Sequence, residues 1–168
     1  STFAPVQQKD IDPDHMKKPV HYSRIQSIFI TILAYLIALA CAVLVVRALP
    51  LEHPLAQLAV GDLVATIVIF LCSVALNNSS MYDPYWSVKP AVFAVYYVLR
   101  IIPDAGCLIL DGGGRMLIVT LLVLLYSIRL TSNFYRDWPG LSHEDWRYRN
   151  FRNQFPKIYW LISFFGIH

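Results

Sequence analysis

The chain has 168 residues and a formal net charge of +3, and 57% of its residues are hydrophobic whereas only 15% are charged. This balance excludes an ordinary water-soluble domain and indicates an integral membrane protein. Because the charge is small and the basic residues alternate with apolar runs, anionic phospholipid is the expected counterpart and nucleic acid is not. Neither the three cysteines nor the five histidines have the spacing of a metal site, so no metal is expected.

The first 24 residues are mostly polar and contain three prolines, which predicts an extended amino-terminal arm. Residues 25–168 are predicted to form an all-α polytopic transmembrane bundle, with four full spans and a truncated fifth. The last run would rise only about 16 Å, so lipid, a neighbouring subunit or further chain is expected to cover it. The predicted spans are 25–46, 55–76, 86–102, 116–130 and 158–168.

Lysine and arginine orient these spans, because both accumulate on the membrane side that is not translocated. If the spans alternate, one side carries eleven of these residues and the other carries three. The richer side holds the arm, the loop NNSSMYDPYW and the segment from Arg129 to Lys157. Two polar stretches far apart in sequence are therefore predicted to face one cytoplasmic or matrix compartment, as a binding mouth would require.

The second polar stretch, residues 129–148, reads RLTSNFYRDWPGLSHEDWRY. Its proline-glycine pair predicts a turn, and Ser142 followed three residues later by Asp145 resembles a capping box. A helix is therefore predicted over 142–155, with Glu144 and Asp145 in its first turn, where carboxylates suit the helix dipole. The pattern is typical of an amphipathic helix on a membrane surface.

Asp62 lies inside the second predicted span, where an ionisable side chain is costly and is by default a functional candidate. Arg100, on the next span, approaches from the same side of the membrane, so the two side chains could pair. The alternative interpretation is a purely structural ion pair, or an aspartate held by backbone groups and water.

Two further groups could bind a polar ligand. Asp83, Tyr85 and Trp86 stand at the entrance of the third span, where a membrane-interface turn with aromatic anchors explains them equally well. Arg129 and Asn133 are four residues apart and would share one helix face, so they could hold a phosphate, a carboxylate or a lipid head group. A snorkelling arginine is the alternative for Arg129.

The stretch YDPYWSVKP, residues 82–90, and the stretch 129–148 together resemble the paired signatures of an uncharacterised membrane-protein family. That family is allied to the steroid 5-alpha-reductases and, more distantly, to the isoprenylcysteine methyltransferases. The resemblance covers essentially the whole chain but only about the first half of the family pattern. It assigns a candidate polar mouth to Asp83, Tyr85, Trp86, Arg129, Asn133, Trp138, Glu144, Asp145, Trp146, Arg147 and Tyr148.

For a complete member, the resemblance implies NADPH-dependent reduction of a lipophilic enone, in which hydride reaches the β carbon while an acid protonates the α carbon. The arginine-histidine-proline-asparagine-tyrosine segment of the family's cofactor half does not occur here, so no cofactor is expected in this chain. The expected function is that of a catalytically inactive accessory subunit, with other membrane subunits as partners, in a larger assembly such as a respiratory-type complex of the mitochondrial inner membrane. The alternative is the amino-terminal half of an NADPH-dependent membrane reductase for an enone or steroid-like substrate.

Overall fold

The computed structural model describes residues 22–101 and 113–167. Nearly all of the predicted arm and the last residues of the third and fifth predicted spans lie outside these ranges. Within them every regular element is helical, which confirms the all-α prediction. The elements are α1 (Arg24–Ala48), α2 (Pro54–Ala75), a 3₁₀ turn (Ser79–Tyr82), α3 (Tyr85–Ile101), α4 (Gly113–Asp137), α5 (Trp146–Gln154), α6 (Tyr159–Ile162) and a π-helical turn (Ser163–Ile167).

Three helices in the described ranges, α1, α2 and α4, are long and apolar enough to cross a membrane. The first two predicted spans match α1 and α2 to within two residues at each end. The fourth prediction was too short, because α4 continues past Leu130 to Asp137 and has 25 residues. The predicted third span corresponds to α3, which has 17 residues, and in the fifth only four residues are α-helical.

Small side chains form the buried face of α1 and let α2 approach closely. They recur every three or four residues, so they share one side of the helix. Two of them are polar, and the hydroxyls of Ser27 and Thr31 donate to the carbonyls of Ser23 and Ser27, at 2.9 Å each. The stripe consists of Ser27, Thr31, Ala34, Ala38 and Ala42. Packing of small residues, which can hold helices together in lipid, therefore joins this pair.

The aromatic core lies at one end of the bundle, around the short segment between α2 and α3. Met81 and Tyr82 are fully buried there, and Trp138, which follows α4, packs into the same cluster. The Tyr35 hydroxyl, on α1, donates to the Met81 carbonyl at 2.7 Å. The segment is thus enclosed by elements from both ends of the sequence.

Arg24 joins the beginning of α1 to the end of α4. Its guanidinium Nη2 donates to the carbonyl oxygens of Tyr135 and Arg136, at 2.6 Å each. The last carbonyls of a helix have no partner within the helix, and a cation suits the negative end of the helix dipole. This contact therefore closes the arrangement of helices at the end that holds the core.

The predicted capping box at Ser142 is wrong, because α5 begins at Trp146 and Asp145 is its N-cap. The Asp145 carboxylate accepts a hydrogen bond from the Arg147 backbone N–H at 2.9 Å. The preceding residues are held in other contacts, since the Leu141 N–H donates to the Ser27 hydroxyl at 2.9 Å. The Asp145 N–H donates to the Ser80 hydroxyl at 2.8 Å. Residues 142–145 therefore precede the helix, and Glu144 and Asp145 do not lie in its first turn.

Candidate functional site

Two polar segments meet at the core end of the bundle, namely residues 78–84 and 138–148, and we call their contact region the polar junction. The Asn78 side-chain amide donates to the carbonyl oxygens of Leu141, at 2.8 Å, and His143, at 3.3 Å. The Ser80 hydroxyl accepts from the Asp145 backbone N–H at 2.8 Å. The two motifs that the sequence singled out are therefore in direct contact.

Glu144 is the most heavily bonded carboxylate of the junction. Its Oε1 accepts from the Ser79 backbone N–H at 3.1 Å, from Arg152 Nη2 at 2.9 Å and from the Tyr159 hydroxyl at 3.3 Å. The Tyr159 and Ser79 hydroxyls are also hydrogen-bonded to each other, at 2.6 Å. A carboxylate taken out of water needs such partners. Glu144 thereby ties both α5 and α6 to the junction.

Asp83, Tyr148 and Arg147 form the second charged group of the junction. The Tyr148 hydroxyl donates to Asp83 Oδ1, and Arg147 Nη2 lies 3.6 Å from Asp83 Oδ2. The same guanidinium reaches Asp145, with its Nε 3.0 Å from Oδ1. One arginine therefore serves two carboxylates on different segments.

The surroundings shift the pKa values of Asp83 and Asp145 in opposite directions. Burial raises the pKa of Asp83, and the hydrogen bond from Tyr148 and the charge of Arg147 offset this only in part. Burial also opposes ionisation of Asp145, but hydrogen bonds from Arg147 outweigh it, so the pKa of Asp145 is lowered. Divergent carboxyl pKa values at one site are what acid-base chemistry needs. Asp83 is the member better suited to hold a proton.

Asp62 pairs with Lys89 and not with Arg100, so the predicted intramembrane pair is wrong. Lys89 Nζ lies 2.7 Å from Asp62 Oδ2, and the Tyr85 hydroxyl donates to Asp62 Oδ1 at 3.3 Å. Tyr85 and Lys89 are one helical turn apart and share a face of α3. Arg100 lies eleven residues further along, about 16 Å toward the opposite end of the helix. The resulting group of three side chains is called the intramembrane cluster.

Aromatic rings surround the ammonium of Lys89. Its Nζ lies 5.6 Å from the ring centre of Trp86, 5.8 Å from that of Phe93 and 6.0 Å from that of Tyr85. Ring faces attract a cation, most strongly where water is scarce. Lys89 is the functional candidate that the sequence analysis missed. The sequence shows a lysine one turn after Tyr85, but two separate spans do not reveal that it lies at the same depth as Asp62.

The remaining mouth residues do not join the junction. Arg129 and Asn133 lie on the exposed side of α4, and their side chains make no hydrogen bond or ion pair with residues 22–101 or 113–167. Trp146 is 68% exposed, and Trp86 packs edge-on against Tyr82, at 5.7 Å between ring centres. Of the predicted set, the junction brings together Asp83, Trp138, Glu144, Asp145, Arg147 and Tyr148.

Comparison with known proteins gives a match to one family model, over residues 69–168, described as a protein of unknown function (DUF1295). The matched range contains both segments of the junction. An uncharacterized protein of Schizosaccharomyces pombe is 32% identical over 103 residues, which are 60% of this chain and 28% of that protein's length. No solved structure matches.

Proposed function

The chain belongs to the DUF1295 family, and we propose that it forms the membrane-embedded part of an NADPH-dependent reductase for a lipophilic ketone or enone. The observation that carries this proposal is the intramembrane cluster of Asp62, Tyr85 and Lys89. Ionisable groups within an apolar layer are costly to maintain and usually serve a function. A hydroxyl and an ammonium held beside a carboxylate are suited to binding a carbonyl oxygen.

The cluster would act by polarising the carbonyl of a substrate that enters from the lipid. Lys89 has three N–H donors, and only one is needed for Asp62, so the others can donate to the carbonyl oxygen. Tyr85 can turn its hydroxyl from Asp62 to the same oxygen. In a water-poor site such donors stabilise the negative charge that develops on that oxygen when hydride is added. The β carbon of an enone thereby becomes electrophilic.

NADPH would supply the hydride, and only part of a cofactor site can be assigned to this chain. The exposed guanidinium of Arg149 on α5 is available to a phosphate, whereas Arg147 is already engaged by Asp83 and Asp145. The relative from Schizosaccharomyces pombe is much longer than the aligned segment. A region corresponding to the rest of that relative would have to supply the other cofactor contacts. The two motifs resemble the signatures of a family allied to the steroid 5-alpha-reductases, which supports the same class of reaction.

Infrared spectroscopy of a bound enone tests the proposal. The probe is a steroid 4-en-3-one added to the full chain in nanodiscs, and we expect its carbonyl stretch to move to lower frequency on binding. Lys89→Met should abolish this shift and Tyr85→Phe should reduce it, because each removes a donor. Lys89→Arg retains the ion pair and should restore part of the shift, which separates loss of function from loss of folding.

Arg100→Gln is the matched control, since it removes a cation from the same helix but not from the cluster. An unshifted carbonyl in the wild-type protein would refute the proposal. The same conclusion would follow if the shift survived in both Lys89→Met and Tyr85→Phe.

A second candidate is an accessory subunit of a larger membrane assembly, including a respiratory-type complex of the mitochondrial inner membrane. The pairing within the junction favours it, because Asp83, Glu144 and Asp145 all have partners inside the chain. Such a junction can serve as a structural joint without any reaction. Gentle purification should then recover stoichiometric membrane subunits and retained anionic phospholipid. Saturable NADPH binding by the full chain would exclude this candidate.

A further inference from the structure

Along the outward face of α4, the exposed side chains change from charged to apolar and back to polar, in the order expected across a bilayer. Successive residues are about 100° apart around a helix, and the residues of this face therefore fall within one sector of α4. All of them are exposed, and the aliphatic members and the tyrosine are each more than half exposed. From one end to the other this outer stripe consists of Arg115, Ile118, Leu122, Leu125, Tyr126, Arg129, Asn133 and Arg136.

The side chains of the outer stripe indicate that lipid covers it, not another helix. The α1–α2 interface of this molecule is built on serine, threonine and alanine, which allow two backbones to approach. The middle of the outer stripe has large leucine and isoleucine side chains instead, together with one tyrosine near the midpoint of the helix. Arg115 lies near one end of the helix, and Arg129 and Arg136 lie within its last three turns.

Arg129 is unusually deep for an exposed arginine. It lies eight residues before the end of α4 at Asp137, which is about 12 Å along the helix axis. Among the described residues its guanidinium has no partner, whereas Arg136 Nε lies 3.3 Å from Asp137 Oδ1. An arginine this close to hydrocarbon extends its guanidinium toward the interface, where an anionic group can bind it.

We propose that the last three turns of α4 bind the phosphate of an anionic glycerophospholipid, with an acyl chain along Leu122 and Leu125. The guanidinium of Arg129 can hold two phosphate oxygens, and the Asn133 amide, one turn nearer the interface, can donate to the same group. Arg129, Arg136 and Asp137 together have a formal charge of +1, which a phosphodiester balances. A zwitterionic lipid would bring a further ammonium toward these arginines, so the site selects an anionic head group.

Native mass spectrometry of the full chain tests this site. The protein is released from nanodiscs that contain equal amounts of phosphatidylglycerol and phosphatidylcholine, and retained lipids are counted. For the wild type we expect about a tenfold preference for phosphatidylglycerol, since the ammonium of phosphatidylcholine would be repelled by Arg129 and Arg136. Arg129→Gln should abolish the preference. Arg129→Lys should retain part of the preference, because a positive charge remains without the paired N–H donors of the guanidinium.

Arg115→Gln is the matched control, because it removes an exposed arginine from the opposite end of the same stripe. It should leave the preference unchanged. The side chain of Arg129 makes no hydrogen bond or ion pair with the described residues, so the fold should survive its replacement, which circular dichroism can verify.

Three results would overturn the proposal. One is equal retention of the two lipids by the wild type. Another is displacement of the retained lipid by millimolar glycerol phosphate, which would identify free phosphate as the ligand. The third is a photo-crosslinker at position 133 that captures a protein helix and no lipid.

Discussion

Gly140 shows how one residue can control the docking of a loop. Its φ of 107° lies in the region that side chains rarely adopt, and a Cβ there would stand 2.8 Å from the Ser27 hydroxyl oxygen. That oxygen accepts the Leu141 N–H at 2.9 Å. The turn therefore depends on the missing side chain both for its backbone conformation and for its contact with α1.

Gly140→Ala should destabilise the protein by about 1–3 kcal/mol, because it adds backbone strain and displaces the Ser27 contact. Gly61→Ala is the control, since its new Cβ would lie 3.4 Å from Val46 Cγ2, within ordinary contact distance, and alanine favours a helix. Thermal unfolding in detergent measures both changes. Equal midpoints for the two variants would contradict this account of the turn.

Arg147 should control the titration of two carboxylates. The ionised form of Asp83 is disfavoured in the fold, so the fold loses stability as the pH rises from the ordinary pKa of 3.8 through the raised value. Asp145 behaves oppositely, because its stabilisation is complete above the ordinary pKa and is lost as the pH falls through its lowered value. Arg147→Gln should raise the pKa of both groups.

Carboxyl carbon NMR of labelled aspartate in micelles can measure these midpoints. Asp83 should titrate at a higher pH than Asp145 in the wild type. Arg149→Gln is the control, since Arg149 acts on Asp145 by charge and does not contribute to the shift at Asp83. A wild-type midpoint of Asp83 at or below that of Asp145 would refute the assignment.

At the residue scale, the sequence indicated which residues belong to the polar centres better than it indicated which side chains pair. Asp83, Tyr148 and Arg147 could be selected because charge and aromaticity crowd around them. The partner of Asp62 could not be deduced from the positive-inside rule, which counts Lys89 and Arg100 as charges on opposite sides. Which cation reaches the aspartate depends on the facing positions of α2 and α3, and two separate spans contain no information on that register.

At the scale of elements, α5 depends on its N-cap. Asp145→Ala should weaken the helix by about 1 kcal/mol, because it removes both the bond to the Arg147 N–H and the contact with the guanidinium. Ser142→Ala should have no such effect, since Ser142 is exposed and lies outside the helix. Hydrogen exchange of the α5 amides measures the difference. Faster exchange in Ser142→Ala than in Asp145→Ala would contradict this assignment and support the capping box predicted at Ser142.

The predicted boundaries of elements failed where long-range contacts decide them. Apolar composition located α1 and α2 because their lengths follow the thickness of the bilayer. Apolar composition predicted that the fourth span ends at Leu130, where polar residues begin. The helix nevertheless continues to Asp137, and in this extension the Thr131 hydroxyl contacts the Ser87 hydroxyl on α3 at 2.7 Å. The start of α5 was misplaced for a similar reason, since Ser27, more than 110 residues away, holds the preceding turn.

For the whole molecule, the structure predicts that the two ends of the bundle face different compartments. In a background without the native cysteines, Trp86→Cys and Trp146→Cys should react with a membrane-impermeant maleimide from the same side of sealed vesicles. Glu52→Cys, in the loop between α1 and α2, should react only from the other side. Both tryptophans are more than half exposed, so neither position is enclosed by the described part of the chain. Labelling of positions 86 and 146 from opposite sides would contradict the junction.

The architecture as a whole was predictable because hydrophobic runs and charge asymmetry are properties of the entire sequence. They indicated a helical membrane protein and placed the two polar stretches at a common end, where the structure brings them into contact. The two distinct polar centres were not predictable. The junction and the intramembrane cluster share one motif, YDPYWSVKP, and diverge because Asp83 precedes α3 while Tyr85 and Lys89 lie on it.

The bond from Arg24 to the end of α4 has a consequence for biosynthesis. Its donor and its acceptor carbonyls are separated by up to 112 residues. At about 5–20 residues per second, a ribosome needs roughly ten seconds to make the intervening chain. Helix α1 therefore enters the membrane long before its guanidinium can find those carbonyls. The helices therefore cannot be closed at this end until α4 has been synthesised.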